Sequence, residues 1–104
     1  MVAFSQDEDN LISQLSDMID ELLTVLDQLG EDTVQCYQFV QKVKNILNSK
    51  DPKGMKNVKR HLMMDFRMIE DRQLESSGLD CVLERIYWHV SKNRVFQEPV
   101  NKSE

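Results

Sequence analysis

Two histidines, two cysteines and a scattered set of carboxylates are the side chains of this 104-residue chain that could do chemistry. His61 and His89 are far apart in sequence, and neither has a second ligand at helical spacing, so they do not read as a metal-binding pair. Cys36 and Cys81 form no CxxC and sit alone in helical patterns, where reduced thiols serve as small apolar or near-surface residues. No glycine-rich phosphate loop and no strained serine elbow is present. The remaining candidates are Asp17, Asp20 and Glu21 with Glu70 and Asp71, the carboxylates that could surround a magnesium ion. Such a site needs oxygens converging on a pocket between helices. The first three project away from the apolar seam of their helix, so the expectation is no catalytic group, no metal and no cofactor.

The elements that carry these residues are helical. One chain of 104 residues with 40% hydrophobic content, three Gly and two Pro suits one compact domain with a single core. No apolar run approaches the ~20 residues of a membrane span, and the N-terminus lacks the basic, apolar, small-residue order of a secretory signal. The chain is therefore expected in the cytoplasm, with no membrane partner. Charge is segregated. Residues 1–41 hold nine Asp or Glu and no Lys or Arg, while residues 42–104 hold thirteen basic and nine acidic residues. Nucleic-acid binding is disfavoured, because phosphate needs a concentrated basic face and the first helix repels it. The acidity suits a basic partner protein, and equally suits plain solubility.

Four helix starts follow from cap chemistry. Ser5 with Glu8 and Asp32 with Gln35 have capping-box spacing, Asp51-Pro52 places an acceptor before a ring, and Ser77 precedes Asp80 and the apolar run from Leu79. The spacing predicts helices over about 6–29, 33–48, 52–70 and 78–93. Their stripes are Ile12, Leu15, Ile19, Leu22, Leu26 and Leu29; then Cys36, Phe39, Val40, Val43, Ile46 and Leu47. The third helix presents Met55, Val58, Leu62, Phe66 and Ile69, and the fourth Leu79, Val82, Leu83, Ile86 and Val90. The fold class is all-α, a small antiparallel bundle of about four helices over residues 1–96, with a flexible tail over 97–104.

The third helix contains "HLMMDFRMIED", which places methionines on its polar back. At about 100° per residue, Met64 and Met68 project away from Leu62, toward Arg60, Arg67 and Asp71. On the fourth helix Trp88 projects opposite Leu79, whereas Tyr87 falls on the flank of the core. Methionine adapts to a partner's contours, and Trp and Arg are the commonest interface anchors. The pattern reads as a docking surface. Two other arrangements would bury the same residues: cover by the C-terminal tail with Val95, Phe96 and Val100, or a homodimer of the free protein.

"VKNIL", "HLMMDFRMIED" and the capped "SSGLDCVLERIYWHV" resemble the corresponding stretches of small helical immunity proteins that neutralise type VI secretion effectors. The likeness covers residues 42–96 and is nearest to the immunity protein of an NAD(P)-hydrolysing effector. It implies a helical protein without enzymatic activity that binds its cognate toxin and obstructs the nucleotide-binding active site. By position it nominates Glu70, Asp71, Tyr87 and Trp88, while Met64, Arg67 and Met68 come from the helical projection. The loop "RQLESSG" departs from the family pattern, and the first helix matches only in being helical.

The resulting expectation is an immunity protein, or antitoxin, that blocks an effector toxin domain by steric occlusion. A helical adaptor or dimerisation module is the alternative. A magnesium-dependent all-α nucleotide pyrophosphohydrolase is the third.

Overall fold

The computed structural model describes residues 4–33, 35–74 and 76–97. Helix α1 runs from Gln6 to Gln28 and opens on the expected capping box. Ser5 Oγ accepts from the Glu8 N–H at 3.1 Å, and the Ser5 N–H donates to Glu8 Oε1 at 2.9 Å. Its end is a Schellman motif: the Gly30 N–H donates to Asp27 O and the Glu31 N–H to Leu26 O, each at 3.0 Å. Gly30 holds φ at +86°, a conformation other residues adopt at a cost.

Helix α2, Gln38–Ser49, starts later than Asp32 suggested. Asp32 does accept from the Gln35 N–H at 3.0 Å, but that turn stops at Cys36. The N-cap of α2 is instead Tyr37, left-handed with φ +58° and without a side-chain cap of its own. The acceptor comes from elsewhere in the chain. Asp65 Oδ2 accepts from the Val40 N–H at 2.8 Å, with the Phe39 N–H contributing as well. A carboxylate from the neighbouring helix thus satisfies the free donors that a local Ser or Asp would normally meet.

The expected third helix is two helices. The one-turn α3, Pro52–Met55, is capped by Asp51, whose carboxylate accepts from the Lys53 N–H at 3.0 Å. After Lys56 and Asn57 the chain restarts as α4, Val58–Arg72. Gly54 and Asn57 are weak helix formers, and Gly54 is pressed on Ile46, where an added Cβ would lie 2.9 Å from the side chain. The break thus falls just after a weak helix former that packs closely on α2. Helix α5, Ser77–Lys92, is capped one residue earlier than expected, by Ser76, which accepts from the Leu79 N–H at 3.2 Å. A short 3-10 turn, Arg94–Phe96, closes the described chain.

The bundle runs up, down, up, down. Lys44 meets Asp20 and Lys50 meets Asp9, so α2 is antiparallel to α1. Arg85 meets Glu21 and His89 meets the Leu11 carbonyl, which makes α5 antiparallel to α1 as well. Helix α4 packs on α2 and α5, the same two neighbours as α1, so α1 and α4 occupy opposite corners. The stripes read from the sequence fill the core, with Leu15, Ile19, Leu22, Leu26, Val40, Val43, Leu62 and Ile86 fully buried. Leu29 is the exception at 38% exposed, because the chain turns away at Gly30. Phe39, Phe66 and Leu83 are half-buried at the margins. Among the described helices none is long and apolar enough to cross a membrane.

At one end, the Tyr37 hydroxyl donates to Glu31, and Arg72 Nε pairs with the same carboxylate at 2.6 Å. The Tyr37 hydrogen bond first, then Arg72, holds the Glu31 carboxyl below its ordinary value. Burial, reinforced by Glu31, pushes the Tyr37 phenol up. Asp65 moves the other way from Glu31, because burial raises it more than the Val40 and Phe39 hydrogen bonds lower it.

Asp65→Ala is expected to destabilise the protein by about 2 kcal/mol in urea unfolding, with Asp65→Asn costing less because one acceptor remains. Gly30→Ala should cost about 1 kcal/mol by the same measurement, since the space is open and only φ opposes it. Glu31 is depressed in the folded state, so its contribution is present above the unfolded carboxylate range and lost as pH falls through the folded value. The stability difference between the native protein and Glu31→Gln should accordingly be full at neutral pH and shrink below about pH 4.

Candidate docking face

Among the described residues four large hydrophobic side chains are exposed, and three lie on the outer faces of α4 and α5: Met64, Tyr87 and Trp88. Trp88 is 63% exposed and Met64 52% exposed, as the helical projection required. Tyr87 was expected on the flank of the core but is exposed. Its ring packs edge-on to Trp88 at 6.3 Å, and Lys59 Nζ of α4 sits 5.8 Å above it. Residue 87 follows the fully buried Ile86, and one step of about 100° along the helix turns it outward.

Met68 is a correction in the opposite sense. It is half-buried and packed against the core, because α4 is flanked by both α2 and α5 and its apolar arc is wider than one stripe. Arg67 is exposed and shares a groove with Met64. Glu70 and Asp71 are exposed in the last turn of α4, which continues to Arg72. At a rise of about 1.5 Å per residue they stand about 10 Å along the helix from Met64.

Met64 forms a ridge between two depressions. One, of about 480 Å³, is lined by Lys56, Lys59, Arg60, Met63, Met64 and Arg67, with Gln97 at its edge. The other, of about 590 Å³, lies between α2, α3 and α4 and includes Phe39, Lys42, Lys53, Arg60 and His61. His61 stacks on Phe39 at 5.6 Å, and burial, then Lys42 and Arg60, keeps its imidazole below the ordinary value. Trp88 opens instead onto a third depression beside α1, with Met18, Arg85 and Lys92. Met64 and Trp88 therefore share a surface, continuous through Lys59 and Tyr87, but no common groove.

The described part of the tail reaches this face at Gln97 but leaves Met64 and Trp88 exposed. Phe96 is fully buried and packs on His89 at 5.4 Å, Val95 is half-buried, and Gln97 Nε2 donates to the Val90 and Ser91 carbonyls at 2.8 and 2.9 Å. Gln97 thus closes the open end of α5, and Met64 and Trp88 stay exposed. Val100, with residues 98–104 of the expected flexible tail, lies outside the described residues.

The carboxylates considered for magnesium do not converge. Asp20 pairs with Lys44 of α2 at 2.8 Å, whereas Glu21 takes both terminal nitrogens of Arg85 of α5 at 3.1 Å. Asp17 is exposed on α1, and Glu70 and Asp71 belong to the opposite corner of the bundle. Among the described residues no group of three or more His, Cys, Asp or Glu is placed to hold a metal ion. Cys36 and Cys81 are both free thiols.

Sequence reasoning missed Lys56, Lys59 and Met63 at the groove. In projection they lie about 60–120° from Leu62, on the flank of the third helix between its core stripe and its polar back. It also missed Asp65, although a carboxylate about 60° from Leu62 on the helical wheel is a legible anomaly. Comparison of the chain with protein families, curated proteins and solved structures finds no match. The fold and the exposed face define an all-α bundle with an apolar, charge-rimmed outer surface on α4 and α5.

Proposed function

We propose that this protein acts by binding another protein through the outer face of α4 and α5, as a cytoplasmic immunity protein that occludes an effector toxin. The observation that carries the reading is the grouping of Met64, Tyr87 and Trp88 on two adjacent helices, exposed and ringed by charge. Large aromatic side chains held out in water on a rigid helical face bind well because little order remains to be imposed. Trp88 and Tyr87 supply the anchor, and Met64 supplies an adaptable contact. The toxin itself as partner is supplied by the resemblance of residues 42–96.

On this reading, occlusion of a nucleotide-binding cleft falls to the acidic end of α4. Glu70 and Asp71 project as carboxylates beyond the apolar contact and would compete with phosphate for basic groups in the cleft. Capture is thereby assigned to the outer face of α4 and α5, and blocking to the end of α4.

The test is recovery of the tagged protein from its native cell after a moderate-salt wash. A one-to-one complex with a toxin domain, and rescue of cells expressing that toxin, are expected. Trp88→Ala should retain native helicity and melting temperature while losing about 2 kcal/mol or more of binding. Unchanged affinity would remove Trp88 from the interface. Recovery with copies of itself alone would move the assignment to a homodimeric adaptor.

A further inference from the structure

Residues 52–69 hold five Lys or Arg, namely Lys53, Lys56, Lys59, Arg60 and Arg67, and a single carboxylate, Asp65. The fold turns that carboxylate inward. Asp65 is 4% exposed and committed to the Val40 N–H, so over these residues the outer surface presents cations and no carboxylate. Four of the cations, Lys56, Lys59, Arg60 and Arg67, surround Met63 and Met64 in the groove of about 480 Å³. Lys56 and Arg67 have no carboxylate partner among the described residues, and Lys59 leans over the Tyr87 ring.

We infer that this groove takes an acidic segment of a partner protein, with carboxylates over Lys56, Lys59 and Arg67 and one apolar side chain seated on Met63 and Met64. The inference deepens the docking reading above and rests on it. Cations around an apolar floor select a partner that carries both features, since charge steers the encounter and the apolar anchor retains it.

A second copy fits poorly. Helix α1 carries seven carboxylates, but Asp9, Asp20 and Glu21 already pair with Lys50, Lys44 and Arg85, and within α1 no large hydrophobic side chain is exposed to fill the groove. A nucleic acid fits less well than an acidic peptide. Its phosphates would meet the cations, but its backbone offers nothing to the methionine floor, and the field of α1 opposes it.

The experiment uses the full chain labelled with carbon-13 at the methionine methyls. The probe is a short synthetic peptide of glutamates with leucines at helical spacing, and the control is its counterpart with lysine in place of glutamate. The glutamate peptide is expected to move the Met63 and Met64 methyl signals, more weakly as salt rises, while the lysine peptide leaves them in place. The exposed double variant Lys56→Glu/Arg67→Glu should keep the fold and bind at least about tenfold more weakly. Equal response to both peptides, no response to either, or unchanged binding by the double variant overturns the inference. So does a single-stranded oligonucleotide that moves the same methyls more strongly, or a self-associated state in which Met64 is already covered. Partner capture lost with Trp88→Ala but retained by the double variant would leave the docking face standing and remove the acidic segment alone. Capture retained by both variants would remove the two together.

Discussion

The Asp65 carboxylate beneath the start of α2 is the interaction on which the architecture depends. Helix α2 begins without a cap of its own, at a left-handed tyrosine, and an uncapped helix end buried in a bundle leaves donors unsatisfied. Asp65 meets them from 25 residues away, which fixes both where α2 starts and how α4 is rotated against it. The positive end of the α2 dipole and the two backbone donors offset part of the burial penalty on the carboxylate. Nearby, Glu31 joins the loop after α1 to Tyr37 and to the end of α4 through Arg72. The cap and the triad hold α2 and α4 in register at that end of the bundle.

The same inward carboxylate shapes the outer surface. With Asp65 withdrawn, the exposed side of α3 and the first three turns of α4 is cationic, while α1 at the opposite corner carries seven carboxylates and no Lys or Arg. The protein is therefore strongly dipolar across its diagonal. Part of the acidity of α1 is neutralised internally, by Lys44 and Lys50 of the α2 side and by Arg85 of α5. Such exposed pairs add little stability individually, but they orient the neighbours of α1 and reduce what it offers to a partner. Lys59 bridges the methionine groove and the Tyr87–Trp88 pair, and Trp88 in turn borders α1 at Met18.

Much of this was legible in one dimension. The stripes from Ile12 to Leu26 and from Leu79 to Val90 predicted buried faces because side chains three and four apart must share one side of a helix. The Ser5–Glu8 box fixed its helix start by local geometry alone. Projection also placed Met64 and Trp88 in solvent. It failed at Met68, which is half-buried against the core, and at Tyr87, which is exposed one step beyond the buried Ile86.

Helix content, the antiparallel order and the main core stripes follow from the sequence, because periodicity and caps act over four or five residues. The start of α2, the break between α3 and α4, and the link from the methionine groove to Tyr87 were settled only by tertiary packing. Each depends on a contact between residues far apart in the chain: Asp65 with Val40, Gly54 with Ile46, and Lys59 with Tyr87. A helical wheel shows where a side chain points, but the neighbouring helices decide whether that direction ends in water, in the core, or beside a charge.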